Sequence, residues 1–151
     1  MLGAAAASDT MFMHEKRDLS RVTATERAAL GAYRQAGKGP QDVDVVELHD
    51  CFTIAEIVAT EGLGFFEPGM GGIAAEKGWT SVGGKIPVNP SGGLKSKGHP
   101  IGATGAAQIC EIVTQLRGEA GPRQVEGARV GLTHTLGGNT ATVLVSLFGR
   151  D

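Results

Sequence analysis

The chain has 151 residues, 24 of them glycine, roughly twice the usual glycine share. Its 14 basic and 16 acidic residues leave a formal charge of −2, which argues against a broad nucleic-acid-binding face. No apolar run approaches the roughly 18 residues of a membrane span, and the glycines lack the three-residue period of collagen.

Residues 1–21 read as an irregular arm, apolar over Met1–Ala7 but without the basic leader of a signal peptide. Thr23 opens a T-x-x-E pattern with Glu26, so a capping box and a helix to about Ala36 are predicted. Ala29, Leu30, Tyr33 and Ala36 would share its inner side, and Gly37–Pro40 stops it. Val43–Leu48 is β-branched and reads as a strand. Asp50 is a plausible N-cap for a second helix over about Cys51–Glu61, with Cys51, Ile54, Ala55 and Val58 on one face. Residues 62–100 are punctuated throughout by Gly and Pro and form a long loop, with one short helix near Ile73–Gly78. A third helix runs from about Gly102 to Arg117, its predicted inner stripe being Ala106, Ile109, Cys110, Val113 and Leu116. After a polar turn region, strands at Ala128–Thr133 and Thr140–Phe148 read as a hairpin around His134–Asn139. With aromatics at 5%, the core rests on Val, Ile, Leu and Ala. The order of elements predicts an α/β layered domain, a mixed β-sheet flanked by helices.

Reactive side chains concentrate in a few segments. His49-Asp50-Cys51-Phe52 lies at a strand-to-helix junction, where helix N–H groups lower a thiol pKa and an imidazole exchanges protons with it; on composition alone Cys51 reads more readily as a small buried hydrophobe and His49 as a strand-end residue. Gly98–Gly105 holds His99 on a glycine-rich turn stiffened by Pro100, as a base near neutral pH or as an incidental turn residue. Gly137 and Gly138 can aim backbone N–H groups at an oxyanion, or simply make a hairpin turn. Lys95 and Lys97 flank His99 as a phosphate lure or as a solvated pair. Cys110 reads as core. His14 reads as solvated. Four histidines and two cysteines show neither C-x-x-C nor H-E-x-x-H, so no metal site is expected. The two thiols read as reduced, as in a cytoplasmic protein.

Taken in order, these segments resemble the thiolase superfamily. VNPSGGLKSKGHPIGATG, residues 88–105, is similar to its histidine motif. HDCF, residues 49–52, resembles the sterol-carrier-protein-2 type, where most thiolases carry Asn-Glu-Ala-Phe. THTLGGNTATVLV, residues 133–145, resembles the glycine loop and last strand of that branch. The resemblance implies that residues 22–151 are a thiolase C-terminal domain with residues 62–100 as its long active-site loop. It implies an acyltransferase of lipid metabolism and fatty acid β-oxidation, an acetyl-CoA acetyltransferase or 3-ketoacyl-CoA thiolase. Such enzymes cleave 3-ketoacyl-CoA with CoA or run the reverse Claisen condensation. The acyl-CoA thioester is substrate, and no cofactor is held permanently. By the same resemblance His99 activates the nucleophilic cysteine of a separate N-terminal half, without which this chain is inactive. His49 holds an enolate oxygen, Cys51 is the acid/base thiol, Gly137 and Gly138 serve a second oxyanion site, and Phe52 packs beside the acyl group. The family forms dimers. The final stretch His134–Gly137 lacks the Cys-x-Gly of many thiolases, as in the HDCF branch. That leaves two alternatives open: a thiolase-like retro-aldolase (a lyase on steroid or acyl thioesters working with a small zinc and OB-fold partner), or a non-catalytic CoA-binding or assembly module.

Overall fold

In the computed structural model, which describes residues 1–150, four strands form one sheet, and apolar residues alternate along the two longest of them. The strands are β1 (Gly3–Ser8), β2 (Val45–Leu48), β3 (Val130–Gly137) and β4 (Thr142–Gly149). Their order is β1-β4-β3-β2; β4 is antiparallel to both neighbours and β2 is parallel to β3. The sheet is therefore mixed, and helices cover both faces. Helix α1 (Thr23–Ala36) lies on β1 and β4, and α5 (Thr104–Arg117) lies on β3 and β2. Period-two alternation sends Val46, Leu48, Leu132, Val143, Val145 and Leu147 into the α1 layer. Val45 meets Ile112 and Leu116 in the α5 layer. Each large aliphatic side chain so buried contributes about 1.5–3 kcal/mol of transfer free energy.

Several expectations need correction. Gly3–Ser8 is an edge strand, not part of an irregular arm: its small side chains let α1 lie close, and Ala5 and Ala7 pack on the α1 core. Helix α1 has the predicted bounds, but no side chain caps it; Glu26 instead pairs with Arg21 at 2.8 Å, and Leu30 is 51% exposed. The second helix, α2, begins at Thr53 and runs to Gly62, and Asp50 does not cap it. The 62–100 segment carries two short helices, α3 (Gly71–Glu76) and α4 (Gly93–Lys97), of which only the first is expected from the sequence. The Glu61 carboxylate accepts a bond from the Gly71 N–H at 2.8 Å and ties α3 to the end of α2.

Helix α5 is turned relative to its predicted face. Its inner side is Thr104, Gln108, Glu111, Ile112, Gln115 and Leu116, whereas Ala106, Ile109 and Cys110 face outward. Cys110 is an exposed free thiol rather than core. The polar groups on this inner side are all bonded, as burial demands. Arg123 clasps the Glu111 carboxylate through two N–H groups at 2.9 and 3.0 Å, and Gln115 receives the Val125 N–H at 2.8 Å. Gln108 donates to the His134 carbonyl at 3.1 Å, which fixes α5 to β3. Among the described residues, no helix is long and apolar enough to cross a membrane.

Gly131 marks the closest approach of α5 to the sheet: a Cβ there would stand 2.5 Å from Ile112 Cγ2. Ile112 is fully buried and β-branched, so it cannot swing aside. Gly131→Ala is expected to cost about 1–3 kcal/mol through overpacking, read as a lower urea midpoint with an unchanged slope.

Candidate active site

The site is built on the edge of β2. One side of this four-residue strand pairs with β3; the other is completed by the incoming loop. Val46 donates its N–H to the Pro87 carbonyl at 3.0 Å, Asn89 donates to the Val46 carbonyl at 2.7 Å, and Leu48 donates to Asn89 Oδ1 at 2.7 Å. Beyond Leu48, the buried Asp50 carboxylate accepts the Leu94 N–H at 2.7 Å and presses on Gly93, where no Cβ would fit. These bonds fix α4 beside the end of β2 and deliver His99 to His49. The two rings stand edge to face with centroids 4.8 Å apart.

His99 Nδ1 is 2.7 Å from Thr104 Oγ1, and that hydroxyl donates to the Pro100 carbonyl at 3.1 Å. The bond to the Thr104 hydroxyl holds the His99 ring in place; with Nδ1 as its donor, Nε2 is the nitrogen that carries the lone pair. His49 is 5% exposed and its Nδ1 has no partner. Burial above all, then the neighbouring His99, holds its pKa below the ordinary imidazole range, against the pull of Asp50. Behind it on β3 sits His134, wholly buried, its Nε2 2.9 Å from Thr25 Oγ1 and its Nδ1 unpartnered. Burial, helped by His49, drives its pKa down to about 3.

A cavity of about 710 Å³ opens over this end of the sheet, and His49, Cys51, Phe52, His99, Gly137 and Gly138 all line it. The apolar face of α2 points into the cavity through Ile54, Ala55 and Val58, so the helical stripe read from sequence serves the pocket. Phe52 and Ile101 are strongly exposed at its mouth. The lysines are not a free solvated pair: Lys95 Nζ is 2.9 Å from Glu56, and Lys97 Nζ is 3.5 Å from Glu47. Thr104, Glu47 and Asp50 escape a sequence reading because their partners lie 5 to 44 residues away. Only Thr104, within the motif itself, leaves a local signal. Among the described residues, no three His, Cys, Asp or Glu side chains are grouped to hold a metal ion.

Residues 5–150 match the family described as thiolase C-terminal domain-like. An acetyl-CoA acetyltransferase of Methanothermobacter thermautotrophicus is 56% identical over 97% of this chain and 38% of its own length. Sterol carrier protein 2 of Rattus norvegicus is 52% identical over 83% of the chain and 23% of its own length. Thus the chain spans well under half of these relatives. An Ltp2-ChsH2(DUF35) aldolase shares the fold with a TM-score of 0.85 at 24% identity, over 97% of this chain and 38% of that one.

The buried His134 makes stability depend on pH. Its folded pKa lies near 3, far below the ordinary 6.5, so between those values the unfolded chain binds one more proton than the folded one. Stability is fully present above about pH 6.5 and is lost on acidification toward pH 3, at up to about 1.4 kcal/mol per pH unit from this group. Urea unfolding across that window should show a shallower pH slope for His134→Gln than for the parent; equal slopes would refute the assignment.

Proposed function

The chain belongs to the thiolase C-terminal domain-like family, and on that premise we propose that it is the C-terminal catalytic half of a thiolase acting on 3-ketoacyl-CoA. The observation that carries the reading is one cavity lined by an oriented imidazole (His99), a second imidazole kept neutral (His49) and a thiol (Cys51). Breaking a carbon–carbon bond next to a thioester needs preorganised donors for the enolate oxygen and a group that moves a proton at carbon. His49 donates a ring N–H to the enolate oxygen without carrying a charge. Cys51 delivers its thiol proton to the α-carbon and is left as thiolate, to be reprotonated. His99 Nε2 takes the proton of the thiol that attacks the carbonyl, with Thr104 holding the ring through its other nitrogen, Nδ1. Backbone N–H groups of Gly137 and Gly138 serve the second oxyanion, and Phe52 flanks the acyl group.

The nucleophilic cysteine belongs to an N-terminal half, in the same polypeptide or a separate chain. The outward stripe of α5, with Ala106, Ile109 and Cys110 exposed, offers that half an apolar seat. The assembled enzyme would be a cytoplasmic homodimer with no permanent cofactor.

A retro-aldolase is the second reading. It is favoured by the lack of any cysteine in the 133–140 segment, which leaves Cys51 as the single thiol of the cavity. In that case the substrate is a 3-hydroxyacyl thioester and a small zinc and OB-fold protein would be the partner.

With an N-terminal half supplied from the archaeal relative, the chain should restore thiolysis of a 3-ketoacyl-CoA. His99→Ala and Cys51→Ala should each lower kcat by roughly 10²- to 10⁴-fold. Full turnover in both variants would sink the site assignment. Cleavage of a 3-hydroxyacyl thioester alone would favour the lyase, and CoA binding without turnover a non-catalytic module.

A further inference from the structure

Glu47 stands out as a carboxylate in the middle of the most buried strand. Its neighbours Val45, Val46 and Leu48 are fully buried, and its own side chain is 1% exposed. An apolar residue would continue that strand without the cost of desolvating an acid. Burial works against the ionised carboxylate, and only Ser91 and Lys97 pull the other way to any extent. The other acid on this side, Glu111 of α5, is already committed to Arg123.

Its bonds all go to one place. Ser91 donates its hydroxyl to Glu47 Oε2 at 2.7 Å and its N–H to Oε1 at 3.1 Å. Lys97 reaches the same Oε2 at 3.5 Å and also donates to Ser91 Oγ at 2.5 Å. Ser91 lies just before α4 and Lys97 is its last residue, so one carboxylate grips both ends of this five-residue helix. Asp50 holds the first part of the helix, through the Leu94 N–H at 2.7 Å and a longer 3.9 Å pairing with Lys95. One residue separates Lys97 from His99, and that residue, Gly98, has no side chain with which to steady the turn. One residue likewise separates Glu47 from His49, which directly follows β2. The carboxylate thus spans the two elements that carry the two facing rings.

We propose that Glu47 is a positioning residue, which through Ser91 and Lys97 holds α4 so that the His99 ring keeps its edge-on seat against His49. The catalytic meaning of that seat rests on the thiolase reading, whereas the seat itself does not. Two measurements test it. In the 151-residue chain, nuclear Overhauser signals between the His49 and His99 rings should be present, and should weaken or vanish in Glu47→Gln and in Lys97→Met. Lys97 is partly exposed, so its variant guards against a failure to fold, checked by thermal unfolding. In the enzyme completed with an N-terminal half, both variants should lose roughly 10- to 100-fold in kcat with KM little changed, as expected for a misplaced base. Glu47→Asp, which keeps the charge, should recover part of that loss. Ring-to-ring signals and kcat unchanged in the folded variants would overturn the proposal. Disappearance of those signals while His99→Ala still turns over would uphold the positioning and refute the thiolase reading instead.

Discussion

The architecture depends on how the open edge of β2 is satisfied. A buried strand cannot leave its N–H and C=O groups without partners. Here they are met by Pro87 and Asn89 rather than by another strand, across a single parallel bridge at Val88. The loop that completes the sheet also carries the second histidine. Docking of the 87–99 segment is therefore both a folding event and the assembly of the cavity. Asn89 holds φ at +50°, and its side chain reaches back to the Leu48 N–H, so this one residue turns the chain and closes the sheet edge.

The same constraint accounts for the acids around the site. Glu47 and Asp50 flank His49 on the strand and its continuation, and both are spent on the α4 segment. Their lysine partners sit on α4 itself. Exposed ion pairs contribute little, but these have one member almost wholly enclosed, and removing a partner would strand a buried carboxylate. The ion pairs thus hold a short, glycine-flanked helix that has little hydrophobic surface of its own with which to dock.

What the sequence made legible follows from which signals are local. The ends of α1 and α5 are readable because Gly37 and Gly118 take left-handed conformations just past them, and the intervening residues favour helix. The inner face of α5 is not readable by hydrophobicity. Gln108, Glu111 and Gln115 are buried because His134, Arg123 and Val125 meet them, and those residues lie 10 to 26 positions downstream. Leaving Ile109 and Cys110 outside violates the rule that apolar means inward. β1 is unreadable for another reason: an alanine run has helix propensity and becomes a strand only because β4 offers an edge and α1 a close neighbour. His49, Cys51 and His99 sit in motifs, so the residues that line the cavity together can be picked out from sequence, whereas the groups that hold them require coordinates.

The electrostatic character of the cavity follows from the same packing. His134 has its side chain in the layer between sheet and α1, where burial keeps the imidazole neutral. His49 is less deeply placed, yet it too is pushed toward the neutral form, and a proton on His99 adds to that push. Three imidazoles close to one sheet end therefore do not accumulate positive charge. His99, which lines the cavity, is oriented by its bond to Thr104, while His134 is held by Thr25 of α1. Burial keeps one histidine uncharged, and a hydroxyl orients the other. The difference between these like side chains is set by their surroundings, which are fixed by how a loop closes the edge of β2.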